Sequence, residues 1–138
     1  MSLKLIACTL VAGLASAQTC TFTVFGRACG GTLTGQQVAT PTGSAIRLDV
    51  TNAAPLVVAI LAAGPQQRPV DLPGSPCTLI VDPRVTFFSQ TDRQGQAAFR
   101  FPMPANIPFN ADLQVVTVGV ERRGRTAEST NALHLTIR

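Results

Sequence analysis

The sequence predicts an all-β fold, two antiparallel sheets packed face to face, and three observations carry that expectation. Ser44 to Thr51 alternates Ile46, Leu48 and Val50 with Arg47, Asp49 and Thr51; Val, Ile, Thr and Phe fill further short runs; and 11 Gly and 10 Pro punctuate the chain. Period-two alternation marks a strand with one wet and one buried face, and frequent breakers keep such strands short. No heptads and no solenoid period interrupt this pattern.

The elements follow in order. Met1 to Ala17 reads as a secretory signal peptide: Lys4 supplies the positive start, Leu5 to Leu14 is apolar, and Ala15 and Ala17 fit the small-residue cleavage rule, so the mature chain is expected to begin at Gln18. An uncleaved anchor would need about 20 apolar residues. Cys20 to Phe25 is the first strand of the mature domain, and Ser44 to Thr51 is the clearest one. Leu56 to Ala63 is a continuous apolar run between Pro55 and Gly64-Pro65; its length and β-branching fit a strand buried on both faces, with a helix as the alternative. Gln66 to Pro76, with Pro69, Pro73, Gly74 and Pro76, reads as a fixed-shape loop.

Cys77 to Val81 and Val85 to Gln90 are the next strands, the second placing Phe87 and Phe88 on opposite sides. Thr91-Asp92-Arg93-Gln94-Gly95 has the chemistry of a tight turn, since Asp92 can accept from backbone N–H groups ahead of it and Gly95 permits positive φ. Ala97, Phe99 and Phe101 form one apolar face. Pro102, Pro104 and Pro108 make the following stretch irregular, with Phe109 expected as a plug into the core. Leu113 to Val120 resumes the sheet, Arg122 to Arg125 turns, and Leu133, Leu135 and Ile137 close the domain. Seven to eight strands in residues 18–138 point to a single immunoglobulin-like antiparallel β-sandwich.

Composition narrows the function. Beyond the signal no apolar stretch is long enough to span a bilayer as a helix, and removing Lys4 leaves 10 Arg against 7 acidic residues. A net charge near +3 on an exported chain gives no reason to expect nucleic acid. Arg122, Arg123 and Arg125 form the one basic cluster, a possible contact for phosphate or an acidic glycan and otherwise an exposed turn.

The mature chain holds three cysteines, Cys20, Cys29 and Cys77, which in an oxidising compartment leaves one over. Cys29 with Cys77 closes the longer loop, worth about 4 kcal/mol in the chain-entropy model, and Cys20 with Cys29 is the alternative. Without a CxxC or a second His no metal site is expected, and no cofactor. His134 is the only candidate base and sits on a strand face opposite Leu133 and Leu135; the carboxylates of Asp71, Asp82, Asp92, Asp112, Glu121 and Glu128 offer no distinguished pair. The absence of Trp and Tyr removes the usual sugar-stacking platform.

Gly26-Arg27-Ala28-Cys29-Gly30-Gly31, Leu72-Pro73-Gly74-Ser75-Pro76-Cys77, the Thr91 to Ala97 turn, Phe101-Pro102-Met103-Pro104 and Ser129-Thr130-Asn131-Ala132-Leu133 together resemble a small domain of exported bacterial proteins. That resemblance implies a β-sandwich with Cys29 and Cys77 paired and carries no catalytic residue. The expectation is a secreted, non-enzymatic protein of extracellular contact, adhesion or matrix structure, with self-association among its expected modes. Its partners would be a cell-surface protein or glycan; a glycan or small-ligand module is the alternative, and a small hydrolase ranks last.

Overall fold

A computed structural model describes residues 5–7, 19–103, 108–121 and 124–138. The strands are β1 (Leu5–Ala7), β2 (Cys20–Phe25), β3 (Thr32–Thr40), β4 (Gly43–Thr51), β5 (Val58–Gly64), β6 (Gln66–Asp71), β7 (Thr78–Val81), β8 (Val85–Gln90), β9 (Ala97–Pro102), β10 (Phe109–Glu121) and β11 (Gly124–Ile137). All pair antiparallel, in a six-stranded sheet β1-β2-β11-β10-β5-β8, a three-stranded sheet β3-β4-β9 and a two-stranded ribbon β6-β7. The expected all-β sandwich is therefore present, with the ribbon as an added layer.

The main core lies between the two larger sheets. Phe22, Leu61, Val115, Leu133 and Leu135 face it from one side, and Leu33, Ile46, Leu48, Val50 and Phe99 from the other. The alternation of Ser44 to Thr51 delivers the inward set of β4 as the sequence predicts. A second, smaller cluster of Ala62, Val81 and Ala132 lies on the opposite face of the large sheet, beneath the ribbon. That second cluster explains the unbroken apolar run of β5. Ala59 and Leu61 enter the main core while Ala62 packs under β7, so the middle of the strand is buried on both faces, whereas Val58 and the preceding Leu56 are exposed; the helix alternative is excluded.

Buried amides fasten these layers. Gln114 on β10 donates from Nε2 to the carbonyls of Thr78 and Thr130, at 3.1 and 3.0 Å, and accepts the Ile80 N–H at Oε1, at 2.8 Å. The ribbon is thereby tied to the back of the large sheet. Asn131 on β11 performs the equivalent task towards the small sheet: its Oδ1 accepts the Leu33 N–H at 2.8 Å and its Nδ2 donates to the Leu33 carbonyl at 3.0 Å. One side chain thus imitates a neighbouring strand. The Asn131 contact sits at a β-bulge, where Thr130 and Asn131 oppose Val115 and the Thr130 hydroxyl accepts the Val115 N–H.

The disulfide joins Cys29, in the β2–β3 connection, to Cys77 at the start of the ribbon's second strand. It clamps the ribbon from the other end. Cys20 is buried and disulfide-bonded as well, so the spare thiol expected from an odd count is not found among the described residues.

Three other expectations are corrected. Gln66 to Asp71 is a strand despite Pro69, because the β6–β7 register breaks between Gln66 and Val70 and the proline falls in that break. Phe109 does not plug the core; it opens β10 with 45% of its surface exposed. Thr32 to Thr40, which carries no strand expectation, is β3: its inward positions are Leu33, Gly35 and Gln37, only one of them a large apolar residue. Gly35 is needed there, since a Cβ would lie 2.6 Å from the Phe22 ring. The Asp92 turn forms as expected, with Oδ1 accepting the N–H groups of Gln94 and Gln96, and Gly95 at φ 74° in close contact with Ala53.

Replacing Gln114 with Ala strands the Ile80 N–H and two carbonyls in an apolar setting. Chemical denaturation should show a loss of about 3 kcal/mol, against less than about 0.5 kcal/mol for the exposed Gln36→Ala. Reducing Cys29–Cys77 should lower stability by about 4 kcal/mol.

Candidate functional site

β8 is the last strand of the large sheet, paired on one side with β5 and open on the other. The Thr91 N–H donates to the Val57 carbonyl at 2.9 Å, which sets the alternation of the strand: Ser89, Phe87 and Val85 direct their backbone groups to β5, while Gln90, Phe88 and Thr86 direct theirs outward. The result is a row of main-chain donors and acceptors with no strand of the described residues beside it.

Natural edge strands are usually guarded by Lys, Pro, a bulge or an inward-pointing charge. β8 reads Val85-Thr86-Phe87-Phe88-Ser89-Gln90 and contains none of these. Phe88 is 70% exposed and Phe87 39%. Phe88 stands opposite Ile60, and the exposed Val58 opposite Gln90, on the face that looks away from the main core. The charge nearest the strand, Arg84, is held by Asp82 through Nε–Oδ2 at 2.7 Å. This hydrogen bond and the carboxylate charge raise the guanidinium pKa further, so the entrance to β8 is a compensated pair.

A different arrangement occupies the same face of the large sheet near its centre. His134 on β11 and Asp112 on β10 are cross-strand partners, with Nδ1 2.5 Å from Oδ1. The imidazole is 45% exposed and the carboxylate largely covered. They border an open hollow of about 390 Å³ with Gly64, Pro65 and Asn110. The carboxylate orients the ring and leaves Nε2 as the remaining nitrogen; no hydroxyl is hydrogen-bonded to it among the described residues. A shallow polar groove of about 470 Å³ crosses β4 on the outside of the small sheet, where Arg47 pairs with Asp49 at 3.0 Å and Asp92 and Gln96 form the far wall.

The sequence-derived site residues fare unequally. Cys29 and Cys77 are bonded. Arg122 and Arg123 lie outside the described residues, and Arg125 is placed by its backbone in β11 opposite Val120. Sequence reasoning missed two features. The Val85 to Gln90 window, uncharged, proline-free and rich in β-formers, marks a strand, but central strands share that composition and it does not reveal the open edge. The His134–Asp112 pair had no signal: continuing the hairpin register of Glu121 with Gly124 would put Asp112 opposite Leu133, and only the bulge at Thr130-Asn131 moves it opposite His134. Among the described residues no cluster of three or more metal-ligating side chains occurs. No helix there is long and apolar enough to cross a membrane. Comparison with family models, with curated proteins and with solved structures found no match.

Because Phe88 projects into solvent, Phe88→Lys should change the stability of the isolated chain by no more than about 0.5 kcal/mol. Phe22→Ala, at the centre of the core, should cost about 4 kcal/mol by the same denaturation measurement.

Proposed function

We propose that this protein is a secreted, non-enzymatic β-sandwich that works by extracellular contact, accepting a further strand along β8 from a second copy of itself or from a surface partner. The single observation carrying this reading is the unguarded edge: outward-directed backbone groups at Thr86, Phe88 and Gln90 combined with an exposed, uncharged, aromatic strand. Main-chain hydrogen bonds would supply affinity along the edge and Phe88 would supply buried area. An edge of this kind on a protein that met no partner would be a standing aggregation hazard.

Export is supported by the Lys4-led apolar segment ending at Ala17 and by the Cys29–Cys77 disulfide, a bond that persists in oxidising compartments. Cleavage after Ala17 would remove β1, the outermost strand beyond β2. The immunoglobulin-like reading is supported by the placement of β10 and β11, paired at the middle of one sheet with β5 beside them, over a second sheet built on β4. The disulfide departs from that pattern, because it ties a connection to the ribbon rather than one sheet to the other.

Sedimentation velocity over a hundredfold range of concentration tests the contact reading. The mature chain should associate as concentration rises, or be captured by its own cell surface, and Phe88→Lys should abolish both. A chain that stays monomeric and binds no surface would overturn the proposal. Intact-mass measurement of the protein recovered from culture medium should give a species beginning at Gln18; recovery of the uncleaved chain from cells alone would refute export.

A further inference from the structure

β8 and β9 are the terminal strands of two different sheets, and they face one another across the sandwich without pairing. The seam between them is bridged by the Phe87 and Phe101 rings, tilted with centroids 4.6 Å apart. Behind this bridge lies a cavity of about 220 Å³. Its floor is the inner face of both sheets, Ile46 and Leu48 on β4 with Leu113, Leu135 and Ile137 on β10 and β11, all of them buried. Its rim is Phe87, Phe101, Pro102 and the half-exposed Phe109. Protein interiors are close-packed, so an apolar recess of this size running from the surface to the buried side chains of the main core is a feature to be explained.

The wall chemistry decides what fits. Every described side chain lining the cavity is a hydrocarbon, so water would find no partners among them, and a buried charge or hydroxyl would be stranded. Volume sets the scale: cavities of about 150 Å³ with Leu, Ile and Phe walls hold one benzene, which scales to roughly nine carbon atoms here. Phe109 and Phe87, partly in solvent, leave the rim open to entry.

We infer that this cavity is a binding site for a small neutral hydrocarbon ligand, a single aromatic ring or an aliphatic chain of similar volume, entering between β8 and β9. The site does not depend on strand pairing at β8, since Phe88 is not among its walls.

Methyl NMR of the mature chain labelled at Ile, Leu and Val, titrated separately with benzene and 1-octanol, tests this directly. The expected result is saturable shifts at Ile46, Leu48, Leu113, Leu135 and Ile137, with Leu56 and Val70 unmoved, and a thermal midpoint that rises with probe concentration. Dihexanoylphosphatidylcholine below its micellar concentration separates the sources of such a group. A matching response to it assigns a lipid chain, and a response to the free probes alone assigns a small molecule. Phe109→Glu, a rim change on a half-exposed residue, should weaken binding at least about tenfold by placing a carboxylate at the entrance, whereas Phe88→Lys should bind like the wild type even if it no longer associates. Should Phe109→Glu fail to fold, the wild-type titrations decide alone. No saturable response at the floor methyls up to the solubility limit of both probes, or shifts spread over exposed apolar residues instead, would overturn the assignment.

Discussion

Two buried amide side chains hold this molecule's layers in register, one of them seated in the β11 bulge and the other beside it on β10. A strand pair can hydrogen-bond only within its own sheet, so the β6–β7 ribbon and the β3-β4-β9 sheet have no main-chain ladder connecting them to the β10–β11 hairpin. Apolar contact would bring them together without fixing how far each slides. Gln114 and Asn131 remove that freedom by presenting donor and acceptor together to Ile80 and Thr78 on one face and to Leu33 on the other. Carrying an amide into a core is costly unless its groups are satisfied. Here the satisfaction comes only from the correct register, so the same groups that stabilise the fold also penalise its alternatives.

Fastening at the centre leaves the periphery free. Away from the hairpin, where β8 and β9 end their sheets, the seam is bridged by a pair of phenylalanine rings. That single boundary produces both features with functional content: an unguarded strand edge outside and a hydrocarbon-walled cavity inside. They are two faces of the same unpaired seam.

Much of the fold was legible because alternation is a local signal. β4 and β9 declared their inward faces outright, and the Asp92–Gly95 turn followed from the chemistry of those two residues. The middle of β5 read correctly as buried on both sides, although the reason, a ribbon packed on its back, is a tertiary fact. β3 was illegible because two of its inward positions are Gly35, which makes room for Phe22, and the buried amide Gln37, neither of them a hydrophobic side chain. β6 was hidden by Pro69, whose missing donor falls where the register breaks. The candidate site was less legible still. An apolar strand buried at the centre of a sheet and one exposed at its edge have the same composition, so Val85 to Gln90 could not reveal its position, and the meeting of Asp112 with His134 depends on a one-residue shift that no local pattern records.

Residue-resolved amide hydrogen exchange tests the central claim most directly, because it reads the fastened interior and the open edge in one experiment. The N–H groups of Ile80 and Leu33, bonded to Gln114 and Asn131, should exchange only through global unfolding. Those of Thr86 and Phe88 should exchange rapidly in dilute solution and become protected as the protein is concentrated. Exchange at Ile80 and Leu33 as fast as at Phe88, or protection of Phe88 in the dilute monomer, would contradict it.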